Sequence, residues 1–234
     1  MSLRTSLYLA AALLSCCLLT LPALAQQPQD PEDDKKLGLW LDQTISAGLS
    51  PNSSLEFEIH ERFDQGISQL YEYFFQGGVA FRPRPWLTLI PIYRYQRYPI
   101  GSTTSYENRG QLNITLSAAR GRWRPIFRTL FEGRFPENRI ASARLRFRPG
   151  IEYTVPLRWA RPPVLIVSNE FFFVPGTNSF PGGGFTQNRA QVGVRVPMTD
   201  SCSIRPYYLL QSVDLPSGWK TNRILGSSIG FRFY

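Results

Sequence analysis

The sequence predicts an all-β fold: an antiparallel up-and-down transmembrane β-barrel of about ten to twelve strands. Three observations predict it. Residues 143 to 148 read Ala-Arg-Leu-Arg-Phe-Arg, and successive side chains of a strand point to opposite faces, so one face is all guanidinium and the other all hydrocarbon. Similar period-two stretches recur along the chain, most of them about ten residues or longer, the length that crosses a membrane with tilt. Aromatic residues mark the ends of these stretches (Trp86, Trp123, Trp159, Trp219, Tyr98, Tyr106 and Tyr234), as in the interfacial girdles of membrane barrels.

The first 25 residues read as a cleaved signal peptide. Arg4 supplies the positive region, Leu7 to Leu21 is almost unbroken in apolar residues, and Ala23-Leu24-Ala25 is the small-x-small site, which puts the mature start at Gln26. Leu13-Leu14-Ser15-Cys16 offers a rival reading as a lipoprotein signal acylated at Cys16. Gln26 to Lys36 is a polar, Pro-containing leader, and the barrel domain takes 37–234. Cys16 and Cys17 leave with the signal, so Cys202 has no intramolecular partner, and the chain has 1 histidine, His60. No cysteine or His-based metal site is expected, and no cofactor. Gly182-Gly183-Gly184 lacks the helix and Lys-Ser/Thr pair of a phosphate loop.

Strands are predicted at 37–47, 54–64, 69–82, 86–97, 107–119, 123–135, 140–155, 163–174, 187–197, 202–213 and 222–233. In the second, Leu55, Phe57 and Ile59 oppose Glu56, Glu58 and His60. The fourth is apolar on both faces in its middle. In the fifth, Leu112, Ile114, Leu116 and Ala118 oppose Gln111, Asn113, Thr115 and Ser117; in the ninth, Ala190, Val192, Val194 and Val196 oppose Arg189, Gln191, Gly193 and Arg195. The last alternates through Ile229, Phe231 and Phe233, and resembles the C-terminal assembly signal of Gram-negative outer-membrane barrels. Links after the third, fifth and ninth strands read as tight. Those after the fourth, eighth and tenth read as longer, as outer loops should be. Counting back from a final strand that ends in the periplasm leaves 37–47 as an odd strand: it sits outside a ten-stranded barrel, or the true count is twelve.

If the apolar faces meet lipid, the inward set holds more arginine than glutamate. An arginine facing lipid at midplane costs about 2–4 kcal/mol, and an unpaired charge in a confined lumen is also expensive. Interdigitation lowers both costs, because the planar guanidinium fork suits carboxylates. The expected lumen ion-pair network is Glu107, Arg109, Arg128, Glu132, Arg134, Arg144, Arg146, Arg148, Glu170 and Arg189. His60 and Glu58 form a second polar candidate, with Ser54 or Ser68 nearby in sequence as conceivable nucleophiles. No local motif supports a nucleophile, and the surrounding arginines should keep Glu132 and Glu170 ionised, so no catalytic residue is assigned.

Several motifs match together and in order: Glu107-x-Arg109; Arg128 with Glu132-Gly133-Arg134-Phe135; Arg144-Leu145-Arg146-Phe147-Arg148; Asn169-Glu170-Phe171-Phe172; and Gln187-Asn188-Arg189. Over about residues 38 to 234 the set resembles the bacterial family catalogued as domain of unknown function 2490. That resemblance implies a small outer-membrane β-barrel and no established activity.

Export and a formal net charge of +9 direct the expected partners to outer-membrane lipid and lipopolysaccharide, with the barrel assembly machinery engaging the C-terminal strand 225–234. Nucleic acid is not expected. Oligomeric state stays open. Three classes of function remain: a structural barrel plugged by Arg–Glu ladders, or a narrow anion-leaning channel; a barrel that binds or hydrolyses envelope lipid or glycan; and a soluble, periplasmic, lipocalin-like binding barrel. The last requires Leu145 and Phe147 to point into a core and Arg144, Arg146 and Arg148 into water.

Overall fold

A computed structural model describes residues 37–64, 66–100, 103–137, 139–175 and 184–234. The signal peptide, the rival acylation site at Cys16 and the polar leader lie outside them, as do Gly182 and Gly183. Eleven strands form: β1 (Leu37–Ser50), β2 (Ser53–Phe63), β3 (Leu70–Arg84), β4 (Leu87–Ile100), β5 (Thr103–Ser117), β6 (Trp123–Pro136), β7 (Ser142–Thr154), β8 (Val164–Val174), β9 (Gly184–Pro197), β10 (Cys202–Leu215) and β11 (Gly218–Phe233). Each pairs antiparallel with the next, and β1 closes the sheet on β11 into a barrel.

Closure answers the strand-count problem. Strand β1 is neither left outside nor matched by a twelfth strand; it pairs with β11 in parallel from Leu37↔Arg223 to Ala47↔Phe233. An odd number of up-and-down strands must close this way, because the first and last then run in the same direction. The barrel therefore has a start end, where β1 begins, and a finish end, where β11 stops.

Link lengths do not separate the two ends as the sequence predicts. The β4–β5 ladder continues to Ile100↔Thr103 and the β10–β11 ladder to Leu215↔Gly218, so these start-end links shrink to 101–102 and 216–217. At the finish end, 155–163 is long, because Pro156, Pro162 and Pro163 lack the donors a ladder needs.

Alternation sets the two faces. On β7, Leu145 and Phe147 face outward while Arg146 is buried within, and the outer face elsewhere exposes Leu112, Phe127, Phe131, Val167, Val192 and Leu225. The core is thus the lumen, and it is polar and charged. Strand β4 looks apolar on both faces because Ile90 and Ile92 line a cavity inside. Trp86, Trp123 and Trp159 are exposed near the finish end, and Trp219 near the start end. Tyr106 stacks on Tyr95 with ring centroids 6.1 Å apart. Tyr98 departs from the expected girdle: its hydroxyl accepts from Gln96 Nε2 at 2.6 Å and from Arg109 Nη2 at 3.1 Å inside the barrel.

Tyr207 braces the closing seam. Its ring lies over Gly226, where an added Cβ would stand 2.1 Å from Tyr207 Cζ, so only glycine leaves room for it. Its hydroxyl donates to Asp42 Oδ2 at 2.8 Å. One β10 side chain thereby crosses β11 to reach β1.

Candidate functional site

The start-end half of the lumen is filled by interlocked carboxylates, guanidiniums and rings. Glu107 is held by Arg109 Nε at 2.5 Å and bidentately by Arg134, at 2.8 Å and 2.9 Å. Glu132 accepts from Arg144 and, at 3.0 Å, from Arg146 Nη1. Arg146 turns its other edge to Glu170, with Nη2 at 2.7 Å and Nε at 3.2 Å. Glu170 also receives Arg128 Nη2 at 2.8 Å. Arg146 therefore bridges two carboxylates that belong to different strands.

Aromatic rings complete this plug. Phe172 is 0% exposed and Phe74 1%. Arg144, Arg146 and Arg189 lie over Phe172 at 5.1, 4.7 and 4.8 Å from its centroid. Arg62 and Arg94 cover Phe74 at 4.8 and 3.9 Å, and Arg62 and Arg189 lie over Trp40 at 4.1 and 4.8 Å. Arginine suits such stacks because its delocalised plane is weakly hydrated. Arg62 also pairs with Glu72.

The sequence-predicted network thus separates into members with different partners. Glu107, Arg109, Arg128, Glu132, Arg134, Arg144, Arg146 and Glu170 meet as ion pairs. Arg148 and Arg189 meet no carboxylate among the described residues. Arg148 donates to Ser168 Oγ at 3.0 Å and to Gln191. Arg189 has its ring stacks and Gln187, whose amide oxygen, turned toward its donors, accepts from Arg189 Nε at 2.8 Å.

His60 sits between two carboxylates. Its Nδ1 is 2.5 Å from Asp42 Oδ1 and its Nε2 2.7 Å from Glu58 Oε2, while the ring stacks on Phe74 at 4.1 Å. Only the doubly protonated ring donates to both acceptors. Both ring nitrogens are taken up by carboxylates, so neither faces a nucleophile. Neither neighbouring serine approaches it: Ser54 Oγ donates to Glu56 at 2.5 Å, and Ser68 bonds Asp64 in the β2–β3 link. Likewise Glu132 and Glu170 are bridged by Arg146, which suits neither for general-acid work.

The remaining lumen is open. A cavity of about 720 Å³ runs from Trp40, Phe74 and Arg189 down to the β9–β10 link at Thr199 and Ser201, and among the described residues none of its lining lies in the start-end links. It is a cup, closed by the plug and open at the finish end. Arginines outnumber carboxylates on its wall. Near the mouth, Arg82 reaches Glu56 at 3.4 Å and Arg195 reaches Glu152 at 2.9 Å. Among the described residues, no group of three or more His, Cys, Asp or Glu side chains is arranged to hold a metal ion.

Sequence reasoning missed Asp42, Glu152 and Tyr207, as well as the inward rings of Trp40, Phe74 and Phe172. Asp42 shares its face with Trp40, Thr44 and Ser46, all lining the cavity, so the polar run Asp42, Thr44, Ser46 was the available signal. Nothing in the local pattern marks Phe74 or Phe172 as inward except their strand parity with Gln76 and Glu170.

Among solved structures, the siderophore receptor PirA from Pseudomonas aeruginosa is similar at 15% identity and a TM-score of 0.32, over 75% of this chain and 34% of that receptor. The chain spans about a third of the receptor's length. No curated protein matches it. The family model described as protein of unknown function (DUF2490) matches residues 37–222, the stretch that holds all of β1 to β10 and their ion pairs, and the chain belongs to that family.

Proposed function

We propose that this protein is an integral outer-membrane β-barrel whose lumen is a closed, cationic cup that binds an anionic ligand and does not conduct ions. The outer face supports the membrane setting. Soluble monomers rarely expose contiguous apolar patches beyond a few hundred Å², whereas here leucine, valine and phenylalanine cover strand after strand. A soluble lipocalin-like barrel needs the opposite arrangement on β7. With β11 ending in the periplasm, the cup opens to that side, and strand 225–234 is the segment the assembly machinery would engage. Outer-membrane lipid and lipopolysaccharide then surround the barrel.

The observation that carries the reading is the cavity of about 720 Å³, arginine-rich on its wall and stopped by the buried Arg–Glu–aromatic layer. A conducting pore requires a water path through that layer, where Glu132 is 3% and Phe172 0% exposed. A hydrolytic centre requires a base, and His60 is occupied on both nitrogens. The test is single-channel recording of the detergent-folded chain in a planar bilayer under a KCl gradient. A folded but silent barrel is expected; discrete anion-selective steps would overturn the closed-cup reading.

A further inference from the structure

Some cup arginines have carboxylate partners, and others do not. Arg128 on β6 stands directly opposite Arg148 on β7 in the ladder. Like charges in that position repel. Glu170 partly offsets Arg128 at 2.8 Å, yet it is shared with Arg146. Arg148 has only the neutral Ser168 and Gln191 as hydrogen-bond acceptors; Arg128, Arg205 and Arg146 repel it, and Glu170 attracts it without forming an ion pair. The Arg205 side chain on β10 has no hydrogen bond among the described residues and lies over the Tyr207 ring at 5.6 Å. The Nε atoms of Arg128 and Arg205 are buried without an acceptor. All three arginines line the cavity.

A buried, unpartnered donor is costly, and the repulsion of Arg148 by both Arg128 and Arg205 compounds that cost. Resting on the cup reading, we propose that Arg128, Arg148 and Arg205 form a binding site for a phosphate monoester group. Such a group brings about −1.5 to −2 charges at neutral pH and three acceptor oxygens. That charge offsets the two arginines without carboxylate ion pairs, Arg148 and Arg205, and the oxygens suit guanidinium donors. A monocarboxylate would neutralise only one of them.

The test is isothermal titration of the detergent-folded chain with inorganic phosphate near neutral pH, with acetate as the monovalent control. Saturable phosphate binding is expected, at least tenfold tighter than acetate. Arg148→Gln and Arg205→Gln should each weaken it by about tenfold or more, a loss of about 1.4 kcal/mol, while Arg82→Gln at the mouth should not. Binding that survives in the first two variants but fails in Arg82→Gln overturns this site and leaves the cup. A native protein that binds no anion overturns both.

Should the two variants not fold, phosphate protection of the native arginines from phenylglyoxal, mapped by mass spectrometry, decides instead. Protection of Arg148 supports the site; equal modification with and without phosphate overturns it. Dihexanoyl phosphatidate binding more tightly than inorganic phosphate assigns the group to a lipid headgroup, and the reverse to a soluble phosphoester.

Discussion

Arg146 is the residue whose replacement should most damage the barrel, and the sign of the new charge should set how much. Its side chain is 8% exposed and touches Glu132 at 3.0 Å and Glu170 at 2.7 Å. Arg146→Gln keeps most of the volume but removes the cation between two buried carboxylates. Arg144 remains for Glu132 and Arg128 for Glu170. Removing one partner of a buried pair costs about 3–5 kcal/mol, and the surviving arginines should keep the loss near the lower end. Arg146→Glu adds a third carboxylate at that point. Two like charges about 4 Å apart repel by about 4 kcal/mol at an effective dielectric of about 20, so this variant should lose several kcal/mol more. Urea titration of the folded barrel in detergent, followed by heat-modifiable mobility on gels, measures both. Equal midpoints for Gln and Glu would refute a charge-paired plug.

Leu145→Arg places a guanidinium on the outer face beside Phe147 and should cost about 2–4 kcal/mol at midplane; a lower yield of heat-modifiable barrel in lipid vesicles checks it. Gly226→Val drives a side chain into the Tyr207 ring and should destabilise by about 1–3 kcal/mol. Tyr207→Phe loses a hydrogen bond to a carboxylate, about 1.5–3 kcal/mol, and the pair should be non-additive in a double-mutant cycle because both act on one seam. Ile67 holds φ at 58° in the exposed β2–β3 link, a region that disfavours β-branched residues. Ile67→Asn should therefore raise thermal stability by about 1 kcal/mol.

The strands were legible because period two survives any context: Arg144, Arg146 and Arg148 cannot share a face with Leu145 and Phe147 in an extended chain. The inward charges followed from the same parity. What the pattern could not show was which charge meets which. Arg128 and Glu170 are 42 residues apart in sequence, and their meeting depends on barrel stagger, a property of closure rather than of any strand. Parallel closure was hidden for the same reason, since a lone strand does not reveal its neighbour. The inward Phe172 and Ile92 misled because a wide lumen needs filling, and rings under guanidiniums fill it as well as paired charges do. The solitary Arg148 and Arg189 look in sequence like any other arginine of the ladder.

This barrel turns hydrocarbon outward and charge inward. A nitroxide scan along β7, with single labels from Ala143 to Arg148 in a Cys202→Ser background reconstituted into vesicles, reads that orientation residue by residue. A period of two is expected, with high oxygen accessibility at Leu145 and Phe147 and low accessibility at Arg144, Arg146 and Arg148. Polar-reagent accessibility that peaks at Leu145 and Phe147, with no oxygen maximum there, would contradict it.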